Sequence, residues 1–132
     1  MASTVVNGPG IPLVRRNAPT DLGTLTAVTQ VVAFSVSPPH STPNGNDLLT
    51  LVATGAITTG AMILEASLDG GTKWFGVPSN SQSTNLSTTT LNSDAAVSAA
   101  GSFNISGLQG ALFRAGVTGT ITSNPDIWAL LG

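Results

Sequence analysis

Charge is nearly missing from this chain. Asp, Glu, Lys and Arg together make up 8% of its 132 residues, where a soluble globular domain carries about 25%. Charge keeps a protein surface hydrated and keeps molecules apart. A chain with so little of it, and with a positive mean hydropathy of +0.31, is expected to have much of its surface covered by neighbouring subunits. The formal net charge is −2, and Arg15-Arg16 is the only basic pair. Nucleic acid and anionic lipid both call for a basic patch that displaces counterions. Neither is an expected partner.

Cysteine is absent, which excludes disulfides and thiolate metal sites. Tyrosine is absent too, His40 is the only histidine and Glu65 the only glutamate. Acid–base chemistry is therefore short of groups. A nucleophile–His–acid site would have to be built on His40, in a Pro-rich loop, and no Gly-x-Ser-x-Gly elbow accompanies it. There is no Gly-rich phosphate loop with its Lys. Asp47, Asp69, Asp94 and Asp126 lie in or beside turns, where Asp caps the turn through its own side chain. The run Asn44-Gly45-Asn46-Asp47 is far short of an ordered calcium loop. No catalytic residue, metal or cofactor is expected, and the chain does not read as an enzyme. No stretch approaches the ~18 continuous apolar residues of a membrane span. The start, Met1-Ala2-Ser3-Thr4-Val5-Val6, lacks the basic and long apolar segments of a secretory signal.

What is present is Thr, Ser and Val, with 15 Gly and 8 Pro. Thr and Val favour strands, and Gly and Pro punctuate them. Residues 1–24 read as an extended arm: Pro9, Pro12 and Pro19 fix backbone angles, Gly8, Gly10 and Gly23 interrupt pairing, and Ile11, Leu13 and Val14 stand between them. Such an arm either packs on its own domain or docks on a partner. The apolar Ile11, Leu13 and Val14, with Arg15 and Arg16, are the candidate partner-binding residues.

Residues 25–132 read as one domain of seven to nine short strands. Leu25–Val36 is expected as a strand, then a loop through Pro38-Pro39 and Asn44-Gly45, then a strand over Leu48–Ala53. Gly60–Leu68 alternates most clearly, with Met62, Leu64, Ala66 and Leu68 on one face and Ile63, Glu65 and Ser67 on the other. Asp69-Gly70-Gly71 turns the chain, Lys73–Val77 returns, and Pro78 stops the strand. Residues 79–96 hold a weak strand near Leu86–Leu91 or a long loop. Strands follow over Val97–Ile105, Ala111–Val117, Thr120–Thr122 and Ile127–Leu131. Glu65 is placed to pair across strands with Arg114 or Lys73. The expected fold is all-β: a two-sheet antiparallel sandwich of Ig-like or jelly-roll type with an extended N-terminal arm. Its outer faces carry Thr, Ser, Ala and Val instead of Lys and Glu, which suits packing against other protein.

Two segments carry a resemblance. The stretch Met62-Ile63-Leu64-Glu65-Ala66-Ser67-Leu68-Asp69-Gly70-Gly71-Thr72-Lys73-Trp74-Phe75 is similar to an "LE-x-S-x-DG-x-x-W" strand–turn–strand pattern. Gly101–Val117, with Phe103, Gly107 and Arg114, resembles an "F-x-V-x-G-x-x-x-x-x-R" pattern followed by a short return strand such as Gly119-Thr120-Ile121. Both occur in small β-sandwich structural proteins of tailed bacteriophages. Together they cover roughly a quarter of this chain, with one extra residue between Asp-Gly and Trp and one between Gly107 and Arg114. The resemblance implies a virion component assembled in the host cytoplasm. The first expectation is a capsid decoration or cement protein that holds the head shell together. It would contact the major capsid protein or other virion proteins and form a homo-oligomer, a trimer or dimer. A tail, baseplate or fibre module is the alternative within that class. A carbohydrate-binding sandwich that stacks sugars on Trp74 or Trp128 is the alternative outside it.

Overall fold

The computed structural model describes residues 4–7, 10–36, 48–54, 56–58, 61–82, 97–108 and 110–132. Among them there is no helix, and the strands are β1 (Thr4–Val5), β2 (Leu13–Val14), β3 (Thr20–Thr24), β4 (Gln30–Val36), β5 (Leu48–Thr54), β6 (Ala56–Thr58), β7 (Met62–Ser67), β8 (Phe75–Val77), β9 (Ser79–Gln82), β10 (Val97–Asn104), β11 (Leu112–Val117), β12 (Thr120–Ser123) and β13 (Asp126–Leu131). The expected loop at Pro38–Asp47, including His40, and the weak strand near Leu86–Leu91 lie outside the described residues.

The strands form two main sheets, as an all-β sandwich requires. Sheet one runs β1-β4-β11-β7-β8, with β2 also paired to β4. Sheet two runs β3-β13-β5-β10-β9, and β6 with β12 makes a separate ribbon. The inner faces share one core. Val32, Phe34, Leu64, Phe113 and Ala115 of sheet one meet Leu22, Leu49, Leu51, Phe103 and Ile127 of sheet two. The Phe34 and Phe113 rings stack at 5.5 Å between centroids and 17° between planes. Each large side chain so buried contributes about 1.5–3 kcal/mol relative to exposure, which makes the alternating strand pattern the main determinant of the fold.

Two expectations are corrected. The run from Leu25 is not one strand. Leu25–Thr29 is the crossover from β3 in sheet two to β4 in sheet one. The Gln30 side-chain oxygen accepts the Thr26 N–H at 2.7 Å and its hydroxyl at 3.0 Å, and Leu25 is driven into the core. Nor does Leu68 continue the inward face of β7. Ser67 is buried, and its hydroxyl donates to Asp69 Oδ1 at 2.8 Å while accepting the Gly71 N–H at 2.8 Å. Those bonds end the alternation, and Leu68 is 73% exposed. Pro78 does stop β8, and it does so at the passage from sheet one to β9 of sheet two.

The N-terminal residues close one side of the sandwich. β1 and β2 both pair parallel with β4, through Thr4↔Gln30 and Val5↔Val31 and through Leu13↔Ser35 and Val14↔Val36. Between these pairings stands Ala33, and there the Asn7 side chain replaces a strand. Its Oδ1 accepts the Ala33 N–H at 2.8 Å, and its Nδ2 donates to the Ala33 carbonyl at 2.7 Å and to the Leu22 carbonyl of sheet two at 3.0 Å. One amide thus satisfies the edge of sheet one and ties it to sheet two. The chain then crosses to β13 by an Arg16↔Leu131 bridge, and the Asn17 N–H donates to the Leu131 carbonyl at 2.8 Å. Gly23, at φ +134°, keeps room for this strap: a Cβ there would lie 3.3 Å from Val32 Cγ1 and 3.9 Å from Asn7 Cβ.

Candidate interaction surface

Antiparallel pairing places alternate side chains of β13 on opposite faces. Ile127, Ala129 and Leu131 enter the core, so Trp128 and Leu130 stand on the outer face of sheet two, 39% and 41% exposed. Their register partners on β5 are Val52 and Thr50. Leu48, at the start of β5, is exposed as well. The result is an apolar strip interleaved with hydroxyls. Among the described residues, the acidic side chains beside it stand at its β3 border. There Asp126 accepts from the Thr24 hydroxyl, and Asp21 accepts the Gly23 N–H at 3.0 Å.

The outer face of sheet one is different. Gly116 of β11 is in register with Ile63 of β7, and Val31 of β4 lies beside it, one residue past the Ala115↔Val32 pair. Gly116 has no side chain, so the row dips into a depression of about 210 Å³ between Ile63, Val31 and Val28. A Cβ on Gly116 would lie 3.3 Å from Val31 Cγ1 and 3.4 Å from the Gln30 carbonyl. At one end of the depression Arg114 Nε donates to Glu65 Oε1 at 2.7 Å, and the two side chains are 17% and 31% exposed. The Arg114 guanidinium lies 4.2 Å from the centre of the Trp74 ring. The Trp74 indole N–H donates to the Gly71 carbonyl at 3.1 Å. Sheet pairing brings Glu65 opposite Arg114, as expected from the pattern; Lys73 instead lies in the β7–β8 turn, where its N–H is accepted by Asp69 Oδ1 at 2.9 Å. That carboxylate also accepts from Thr72 N–H and the Ser67 hydroxyl. These bonds, the Lys73 N–H first and the Ser67 hydroxyl next, hold its pKa below the ordinary 3.8.

The two indoles therefore differ. Trp74 is half-buried, its N–H is bonded within the chain, and a guanidinium covers one ring face. Trp128 is the one presented on an open sheet face.

The five candidate residues of the N-terminal segment also divide. Ile11 and Leu13 are 42% and 41% exposed and Arg15 is exposed. Val14 is fully buried in this chain's own core. Arg16 is half-buried, and its Nη1 donates to the Gly132 carbonyl at 2.8 Å. The outward offer of this segment is thus Ile11, Leu13 and Arg15. Sequence reasoning does not single out Leu130, Leu48 or Ile63. Their signal is the apolar residue on the polar beat of an alternating strand. Comparison of the chain with protein-family models, curated proteins and solved structures finds no match.

Proposed function

We propose that this chain is a structural protein of a tailed-bacteriophage particle, a capsid decoration or cement protein whose partners are the major capsid protein and further copies of itself. The observation that carries the reading is the exposed apolar set on several sides of a nearly uncharged domain: Trp128, Leu130 and Leu48 on sheet two, Ile63 on sheet one, Ile11 and Leu13 on the N-terminal segment. Isolated apolar residues on a surface are ordinary. Here they come with very few charges to keep neighbouring molecules apart, and a surface of that kind is stable in water once other protein covers it. The mechanism is mechanical. Each contact removes apolar area from water at about 25 cal/mol per Å², part of which offsets the loss of rigid-body freedom. A subunit that touches two shell proteins at once resists their separation, and many weak sites add up over a shell.

The sandwich is proposed to be of the jelly-roll type. The order β4-β11-β7-β8 facing β3-β13-β5-β10 supports this, because the late strands β11 and β13 insert between early ones, as in two nested Greek keys. The arm is proposed to act through Ile11, Leu13 and Arg15.

Quantitative mass spectrometry of purified particles tests the assignment. Copies spread over the head shell support it. A small ring of copies at the tail means the tail, baseplate or fibre role, and absence from particles rejects both. The combined substitution Ile11→Ser, Leu13→Ser and Arg15→Ala spares the core and is expected to weaken shell binding at least tenfold, about 1.4 kcal/mol. Glycan binding that disappears in Trp128→Ala would move the chain to the carbohydrate-binding class.

A further inference from the structure

We propose that residues 4–7 are an exchangeable strap: in the assembled state the β4 edge of one molecule is closed by Thr4–Asn7 of a second copy. The site and its occupant are both defined within one chain. The β4 edge receives Thr4 N–H on the Thr29 carbonyl, Val6 N–H on the Val31 carbonyl, each at 3.0 Å, and the paired Asn7 amide on Ala33. A second copy offers the same groups in the same order, so every bond made in cis is available in trans. Segment exchange of this kind is a low-cost route to oligomers.

Three features favour exchange for this segment over others. It puts little into the core: Thr4 and Val5 are exposed, and Val6 is only partly buried against the core. The firm anchor comes later, at the fully buried Val14. Residues 8–13 between them span at most about 20 Å when extended, which bounds how far from Val14 the β4 edge of the second copy can stand. That stretch contains Gly8-Pro9-Gly10. Gly10 has open space where a side chain would stand, and glycine accepts the change of backbone angle that a redirected strap needs. Finally, the departed strap leaves the N–H and carbonyl of Ala33 at a bare edge, which attracts another strand. Cis and trans bonding are equal in kind, so local concentration decides between them, and crowding on a shell favours trans.

The strap gives the proposed cement role a directional link between copies, and its physical basis is tested without any particle. The chain has no cysteine, and Val5 and Val31 are register partners. Val5→Cys and Val31→Cys are made as separate proteins, mixed at about 1 mM, a concentration typical of tethered neighbours, and oxidised. The expected product is a mixed disulfide, joining position 5 of one variant to position 31 of the other, at twice the chain mass and well above what either single variant forms alone. The doubly substituted chain, oxidised when dilute, is expected to close within itself, which shows that the pairing geometry is right. The proposal is overturned if the double variant closes only within chains at every concentration and the mixture gives no excess over the single variants. It is overturned equally if the double variant never closes, since residues 4–7 would then not lie on β4 in any copy. Exchange without shell binding would sink the cement reading alone, and shell binding without exchange would sink the strap alone.

Discussion

Asn7 should be the most sensitive polar residue of the N-terminal segment. Its amide makes three bonds, to both backbone groups of Ala33 and to the Leu22 carbonyl, and Ala33 is 3% exposed. At about 1 kcal/mol net per bond, truncation has a ceiling near 3 kcal/mol. Asn7 is half-buried, so water recovers part of this, and Asn7→Ala is expected to cost about 2 kcal/mol. Asn7→Asp is the sharper test because its shape is unchanged. It sets a carboxylate oxygen against two carbonyl oxygens, and about 3 kcal/mol is expected at neutral pH. That carboxyl is disfavoured when charged, so its folded pKa lies above the unfolded value of about 3.9. The native state then holds the extra proton between those two values, and stability falls as pH rises through that window. Below it the neutral acid can donate to the Ala33 carbonyl, and the variant approaches the parent. Urea midpoints at constant slope give the global change. Hydrogen exchange at the Ala33 amide gives the local one, roughly thirtyfold faster for a 2 kcal/mol loss. If midpoint and Ala33 protection in both variants stay within about 0.5 kcal/mol of the parent, the clamp contributes nothing and the reasoning fails.

Gly101→Ala would put a Cβ 2.9 Å from Phe103 Cε1 and 3.5 Å from Met62 Cβ. The fully packed ring must move, at about 1–3 kcal/mol, while Gly76→Ala, with nothing within 4 Å, should be within about 0.5 kcal/mol of the parent; equal urea midpoints for the two would contradict the packing. A double-mutant cycle of Glu65→Gln with Arg114→Met is expected to give a coupling of about 1 kcal/mol, and a coupling indistinguishable from zero would mean that the pair is only geometric. Asp69 is held below its ordinary pKa of 3.8, chiefly by the Lys73 N–H and then the Ser67 hydroxyl. Its contribution to the β7–β8 turn is present above the unfolded pKa and lost as pH falls through the depressed folded value. Carbon-detected NMR titration should show that shift, and titration at or above 3.8 would refute the hydrogen-bond account.

The sheets were legible where burial follows a two-residue period. In β7 the order buried, exposed, buried from Met62 to Leu64 and the half-buried Glu65 match the alternation of residue types, and that register alone sets Glu65 against Arg114. The crossover at Leu25–Thr29 was illegible because the turn is closed by the Gln30 side chain, with no Gly or Pro to mark it. The alternation alone carries Leu68 onto the inner face, but the Ser67 hydroxyl, not hydrophobicity, decides where β7 ends. Asn7 gave no signal at all: its partners lie 15 and 26 residues away, and only the meeting of the two sheets makes its amide a clamp. The outward Trp128 and Leu130 follow from β13 alternating between two apolar sets, a pattern that shows an interface only once the core side is known.

Sedimentation equilibrium of the purified full chain, over a concentration series and at low and high salt, tests most directly whether its exterior is built to be covered. Association is predicted with a Kd tighter than about 1 mM, or −4 kcal/mol. Salt should leave it undiminished, because apolar area and not charge drives it. A single 13.2 kDa species throughout the series, or association that high salt abolishes, would contradict the account.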